Sequence, residues 1–315
     1  MSTILVTGAS GFVGGHTVPA LLSAGNRVVA LVRSRAAGET VLARLPAAER
    51  SNVELRDGDV IHPATLAPAM VGVDAVVHLV AIPRDVNGGA DLARINTEGT
   101  RSVLGAMATA GVRRLVHMGA LGVADDPRLH YASSKARAEA AVRDSGLDWT
   151  ILKPSLQFGP GDGFFNIIAG LVRISPGIVP VPGDGKSRFQ PIFVGDVAAI
   201  VVRSLADPGT IGETFELGGP RYWTYREITL EVLSALGKRR AIMPMPLPLI
   251  RLVAGAAELV HLPFPVATDQ LRQLSLDNVG PLDLISSRFG FEPRPMEGAL
   301  GYLRLKPRDQ LAAGA

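Results

Sequence analysis

Tyr131 and Lys135 stand four residues apart in "HYASSK", residues 130–135. On a helix, positions i and i+4 share one face. An ammonium beside a phenol favours the phenolate and lowers its pKa, so the pair can pass a proton near neutral pH. Whether it does so depends on the elements that carry it and on what those elements hold nearby.

Those elements follow a regular plan. "TILVT" (3–7), "RVVALV" (27–32), "NVELRDG" (52–58), "DAVVHLV" (74–80), "RRLVHMG" (113–119) and "DWTILKP" (148–154) read as strands rich in Val, Ile and Leu. Helical patterns lie between them, at 11–25 and 90–111 among others. Near-continuous apolar strands separated by helices predict a parallel sheet covered on both faces, in a doubly wound α/β fold. After Pro154 a Gly/Pro loop leads to a helix at about 164–174. A further helix has Asp196 as its expected N-cap, and "ETFELGG" (213–219) reads as one more strand of the main sheet. From 222 onward helical patterns dominate. The expected division is a dinucleotide-binding Rossmann domain over 1–220, with 155–190 partly a substrate-side loop and helix. A smaller, mainly helical substrate or partner region follows over 221–315.

"VTGASGFVGG" (6–15) closes the first strand and opens the first helix. Gly8 permits the tight turn, Gly11 lets the backbone approach a pyrophosphate, and Gly14 lets helix and strand pack closely. Ser10, Phe12 and Val13 complete this phosphate-binding turn. Strand 2 selects the dinucleotide. An NAD site typically ends that strand with Asp or Glu for the ribose 2′-hydroxyl. Here it ends "ALVRSR", and Arg33, with Arg35 nearby, would either pair with a 2′-phosphate or simply be solvated; the first reading is preferred. NADP(H) is therefore expected over NAD(H). Asp59, after strand 3, is either an acceptor for the adenine amino group or a simple turn residue.

Bulk properties narrow the class. The chain has 315 residues, 47% of them hydrophobic, enough for one large α/β domain and an appendage. Net charge is +3 with no Lys/Arg block, which argues against nucleic acid. There are no cysteines; that excludes disulfides, thiolate metal sites and Cys nucleophiles, and fits a reducing compartment. His78, His117 and His130 show no metal-ligand spacing with carboxylates, so no metal is expected. The opening residues begin a strand rather than a secretory leader, and no run reaches the ~18 apolar residues of a membrane span. A cytoplasmic protein is expected, with a position peripheral to the inner face of the membrane as a further option.

With these residues the chain resembles the short-chain dehydrogenase/reductase superfamily, in its extended or atypical, NAD-dependent epimerase/dehydratase-like branch. "TGASGFVG", "VDAVVHLVA", "INTEGTRSVLGAMATAGVRRLVHMGALG" and "YASSKARAE" carry the likeness over residues 2 to about 207. "ILKPSLQFGPGDGFFN" and "PVPGDGKSRFQPIFVGDVAAIV" are similar to the subgroup typified by the nucleotide-binding accessory subunit of respiratory complex I and its bacterial relatives. The resemblance implies Tyr131 as catalytic acid/base and Lys135 as its partner and a ligand of the nicotinamide ribose. It implies Val80 and Ala81 as lining of the nucleotide cleft, and Lys153, Pro154 and Ser155 beside the nicotinamide. Asn96 matches a family Asn, a position that helix solvation explains equally well.

One departure bears on activity. The resemblance implies a Ser or Thr at the end of strand 5, where this chain has Gly119 followed by Ala120. Losing such a hydroxyl donor costs about 2.7–4 kcal/mol of transition-state stabilisation. Ser133 and Ser134 precede Lys135 on the helix and point elsewhere. Two functions stay open. The first is an NADP(H)-binding protein with weak or no turnover that supports a respiratory, quinone-linked or membrane-associated partner. The second is an active NADP-dependent reductase, dehydrogenase or epimerase acting through Tyr131 and Lys135 on an apolar or sugar-like substrate. "LPLIRLVAGAAELVHL" (247–262) is either a docking surface for such a partner or a helix capping the substrate cleft.

Overall fold

The computed structural model describes residues 1–85, 87–246, 248 and 277–310. The stretch 247–262 lies outside these residues apart from position 248. In chain order the first elements are β1 (Thr3–Thr7), α1 (Phe12–Ser23), β2 (Arg27–Val32), α2 (Arg35–Ala43), β3 (Val53–Asp57), α3 (Leu66–Ala69) and β4 (Ala75–His78). Then come α4 (Ala90–Leu92), a π-helical stretch (Ala93–Glu98), α5 (Gly99–Ala110), β5 (Arg114–Met118), α6 (His130–Arg143) and β6 (Asp148–Pro154). The rest comprises β7 (Gln157–Phe158), α7 (Phe164–Ile174), β8 (Ile178–Pro182), β9 (Arg188–Phe189), β10 (Ile192–Phe193), α8 (Val194–Ala206), β11 (Glu213–Leu217), β12 (Trp223–Thr224), α9 (Tyr225–Ala235), β13 (Ala241–Met245), α10 (Leu284–Phe289) and α11 (Pro307–Gln310).

These elements fall into two compact units. The first comprises residues 1–154 and 194–217. Its seven-stranded sheet has the order β11-β6-β5-β4-β1-β2-β3, and every pairing is parallel. Almost every residue of β1, β2, β4 and β5 is buried, which is why these strands read as unbroken apolar runs. Leu5, Val29, Leu31, Val76, Leu115 and Ile151 share one core with Leu66, Met70, Val103 and Met107. The chain reverses direction across the sheet between β1 and β4, the place where open α/β sheets bind ligands beyond their strand ends.

The second unit comprises residues 155–193 and the described residues from 218 onward. Residues 155–190, expected to lie partly on the substrate side of the first domain, belong to this unit. Phe158, Phe165, Phe189, Trp223, Tyr225 and Leu300 build its core. The stretch after 222, read as helical, also contributes β13, which pairs in parallel with β8. Both strands carry prolines (Pro180, Pro182, Pro244), and a two-stranded sheet tolerates them because each strand is an edge. Asp196 falls in the first turn of α8 rather than at its N-cap, since that helix begins at Val194. Its charge still suits the positive helix end.

Candidate functional site

The site residues of the first unit gather at the carboxyl ends of β1, β4, β5 and β6. At β1 the chain turns through Gly8, whose φ is +72°, and the Gly11 N–H donates to the Gly8 carbonyl at 3.0 Å. Gly11 is the N-cap of α1, no side chain caps it, and the first turn holds no acidic residue. The leading amides of α1 are thus offered with the positive end of the helix dipole. Gly14 is fixed by packing: a Cβ there would lie 2.3 Å from the Gly8 carbonyl oxygen and 2.7 Å from the Ala9 Cα. Ser10, Phe12 and Val13 are half-buried around this turn. Spacing did not reveal a further member, Arg44, at the C-terminal end of α2. Its Nη1 donates to the Gly11 carbonyl at 2.7 Å.

Arg33 follows the last residue of β2 and is exposed. Arg35 instead pairs with Glu39 at 2.9 Å on the surface. Asp59 closes a turn, with its Oδ1 accepting from the Ile61 N–H at 3.1 Å. One carboxylate oxygen is thereby committed to the local fold.

After β4, the segment Val80–Ala81–Ile82 is held by Asn96. That side chain is buried, not solvated. Its Oδ1 accepts from Ile82 N–H at 2.8 Å. Its Nδ2 donates to Ile82 C=O and to Ser134 Oγ, both at 3.0 Å. Thr97 Oγ1 donates to the Ser134 carbonyl at 2.9 Å. The π-helical stretch that carries Asn96 and Thr97 therefore ties the β4 exit to α6.

On α6, Lys135 is buried and its Nζ donates to the Met118 carbonyl at 2.5 Å, at the very end of β5. Burial lowers its pKa to about 8, although the nearby Glu139 carboxylate opposes that shift. Tyr131 is half-buried. Its pKa is raised to about 12, first by burial and then by Glu139. The spacing led us to expect a phenol acidified by Lys135; desolvation and the carboxylate reverse the direction. Ser134 Oγ donates to the Tyr131 carbonyl at 2.8 Å and Ser133 Oγ donates to Asp125, so both hydroxyls are spent elsewhere.

Gly119 is buried, and a Cβ added there would lie 2.5 Å from Glu139 Oε1 and 3.1 Å from Lys153 Cγ. A hydroxyl at 119 would thus meet a carboxylate inside the protein. Glu139 Oε1 accepts from the Ala120 N–H at 3.4 Å, and Oε2 lies 3.4 Å from Arg143 Nη2 and 3.7 Å from Lys153 Nζ. Lys153 also reaches Glu216 at 3.8 Å. Pro154 ends β6, its carbonyl accepting from Leu121 N–H at 3.0 Å. Sequence reasoning missed Glu139, although its spacing gave a signal: Tyr131, Lys135 and Glu139 form one i, i+4, i+8 row.

Beneath the site, His78 and His117 stack with ring centroids 5.4 Å apart. Thr100 Oγ1 donates to the Asn96 carbonyl at 2.6 Å, which leaves it to accept from His78 Nε2 at 3.0 Å. His78 Nδ1 then accepts from Thr7 Oγ1 at 2.7 Å. Burial, followed by the Lys135 charge, lowers His78 to about 3. The same causes hold His117 well below its ordinary value, and neither of its ring nitrogens has a hydrogen-bond partner among the described residues.

The NAD(P)H-binding family matches residues 8–170. Among relatives, the mitochondrial NADH dehydrogenase (ubiquinone) 1 alpha subcomplex subunit 9 of Arabidopsis thaliana is 27% identical over 290 residues, covering 90% of this chain and 70% of that subunit. The (4-alkanoyl-5-oxo-2,5-dihydrofuran-3-yl)methyl phosphate reductase of Streptomyces griseus is 32% identical over 245 residues, 75% of this chain and 74% of the reductase. An uncharacterized Mycobacterium tuberculosis protein is 29% identical over 290 residues; the chain spans only 28% of its length. In fold, the chain is similar to the dTDP-glucose 4,6-dehydratase DesIV of Streptomyces venezuelae, solved with NAD and TYD bound. The TM-score is 0.71 at 24% identity, over 96% of this chain and 95% of that one.

Proposed function

The chain belongs to the NAD(P)H-binding family, within the epimerase/dehydratase-like short-chain dehydrogenase/reductases, and on that premise we propose that it is an NADP(H) holder with weak or no turnover. A dinucleotide suits the residues present: Gly14 leaves the loop no room for a side chain, and the amides of α1 meet no side-chain cap. Gly8, Ser10, Gly11, Phe12, Val13 and Gly14 would hold the pyrophosphate, and Arg33 the 2′-phosphate. Asp59 would stand at the adenine, Val80, Ala81 and Pro154 would line the ring sites, and Lys135 would bond the nicotinamide ribose. When bound, the dinucleotide supplies a ring that gives or takes a hydride.

The observation that carries weak turnover is the end of β5. Neither Gly119 nor Ala120 has a hydroxyl, and Ser133 and Ser134 are committed to other groups. Among these four residues no hydroxyl is thus left at that strand end to help the Tyr131–Lys135 pair stabilise charge on a reacting oxygen. The test is mass spectrometry of the small molecule released when the purified protein is denatured, with calorimetry of NADPH and NADH. NADP is expected, with NADPH binding tighter; a chain that binds neither dinucleotide overturns the proposal. The Arabidopsis relative is named as a subunit of NADH dehydrogenase, which supports a respiratory, membrane-associated protein as partner. A membrane-peripheral place fits the absence, among the described residues, of any helix long and apolar enough to cross a membrane. Retention on membranes that carry the respiratory chain, and loss of retention when they are stripped of protein, checks this part.

A second reading is an active reductase, dehydrogenase or epimerase on an apolar or sugar-like substrate. What favours it is the Tyr131–Lys135 pair, kept one turn apart with the ammonium at the end of β5. With its pKa near 12 the phenol is protonated at neutral pH, so it would enter as an acid, delivering a proton to a carbonyl oxygen. Tyr131→Phe is then expected to abolish NADPH-dependent carbonyl reduction. Activity should also fall as pH rises through about 8, where Lys135 loses its charge. A measured activity that survives Tyr131→Phe removes this reading.

A further inference from the structure

Arg44 sits in an unusual place. Its Nη1 donates to the carbonyl of Gly11 at 2.7 Å, and Gly11 is the N-cap of the twelve-residue helix α1. A helix N-terminus carries partial positive charge, and cations there are unfavourable. No acidic residue in the first turn offsets the guanidinium. Arg44 is also half-buried, and burial holds its pKa below the ordinary arginine value. Two positive features brought together, with no ion pair to Arg44 among the described residues, are a poor arrangement for the protein alone and a good one around an anion.

A second observation concerns Gly15. The phosphate-binding pattern uses Gly8, Gly11 and Gly14 and leaves Gly15 unexplained. A Cβ at Gly15 would lie 2.3 Å from Arg44 Nη1 and 3.1 Å from its Cζ. The fourth glycine of "GASGFVGG" therefore makes room for the guanidinium. Arg35 is paired with Glu39 at the other end of α2. Arg44 stands apart from that pair, at the residue that caps the pyrophosphate-binding helix.

We infer that Arg44 is a phosphate-binding residue of the dinucleotide site, clamping the pyrophosphate from α2 while its bond to Gly11 braces the glycine loop. A guanidinium has five N–H donors in a planar fork; the bond to Gly11 uses one, and the others remain for phosphate oxygens. This rests on the NADP(H)-holding proposal and divides the labour of the arginines. Arg33 acts on the 2′-phosphate that only NADP(H) carries. Arg44 acts on the diphosphate that NADP(H) and NAD(H) share.

The experiment is calorimetry of NADPH and NADH on the full chain and on Arg44→Ala, Arg44→Gln and Arg33→Ala. Charge-assisted bonds of this kind change affinity by about ten- to a hundredfold. Arg44→Ala is expected to weaken NADPH and NADH by the same factor, and Arg33→Ala to weaken NADPH alone. Arg44→Gln, which keeps a donor for Gly11 without the charge, guards against a collapsed loop. It is expected to match Arg44→Ala in affinity, with ligand-free melting at or above that of the parent, because an uncompensated cation has gone. Unchanged affinity in both Arg44 variants overturns the inference, and so does a loss confined to NADPH, which would place Arg44 at the 2′-phosphate. A parent chain that binds neither dinucleotide would instead sink the function proposed above.

Discussion

Gly14, in the first turn of the helix after β1, and Gly119, just past β5, both leave a Cβ crowded, for different reasons. At Gly14 the obstruction is backbone: the Gly8 carbonyl 2.3 Å from a would-be Cβ. At Gly119 it is the tip of a side chain, Glu139 Oε1 at 2.5 Å. Backbone has nowhere to go, whereas a carboxylate can rotate. The first glycine is therefore demanded by the loop itself. The second is half of a pair, and its partner lies on another element.

The comparison breaks most sharply at Gly14. Gly14→Ala drives a methyl into the loop and is expected to cost about 3 kcal/mol or more, read by denaturant unfolding, with dinucleotide binding lost in calorimetry. Retention of both would show that the loop relaxes as easily as a side chain.

An intermediate effect comes from the histidines packed at the ends of β4 and β5. His78 has a folded pKa near 3, against an unfolded value near 6.5. Between these values the unfolded chain binds more protons, so stability is complete above about pH 6.5 and is lost as pH falls toward 3. The expected slope is up to about 1.4 kcal/mol per pH unit for each such histidine. His117 adds in the same direction. His78→Asn should flatten this acid limb in urea titrations; an unchanged slope would mean the ring is not held neutral.

The smallest effect belongs to Gly119. Gly119→Ser is expected to cost about 1–2 kcal/mol, because Glu139 must shift. The cost should shrink in a Gly119→Ser, Glu139→Ala double variant, as coupled neighbours require. Carbonyl reduction by the single variant should not rise, since the new hydroxyl meets Glu139 rather than a ligand. A marked gain in turnover would show that position 119 faces the reacting centre.

Much of the first unit was legible along the chain. Strands buried on both faces must be apolar throughout, so β1, β2, β4, β5 and β6 announced themselves within a residue or two. The glycine loop is likewise local, its geometry set within seven residues. The Tyr131–Lys135 row follows from helical spacing, and the same periodicity carried Glu139 unnoticed. Other features resisted. Helix solvation explained Asn96 as well as the family likeness did, yet it is buried in a three-bond clamp. The prolines of β13 hid a strand whose partner lies some sixty residues earlier.

By itself, then, the sequence determined the parallel Rossmann sheet, the loop that opens it and the helix face carrying the phenol and ammonium, because each depends on neighbours along the chain. Only the tertiary structure decided that Arg44 reaches Gly11 across 33 residues, that Glu139 backs Gly119, and that the phenol is made less acidic instead of more. These depend on packing between distant elements and on how much water that packing removes, and spacing encodes neither.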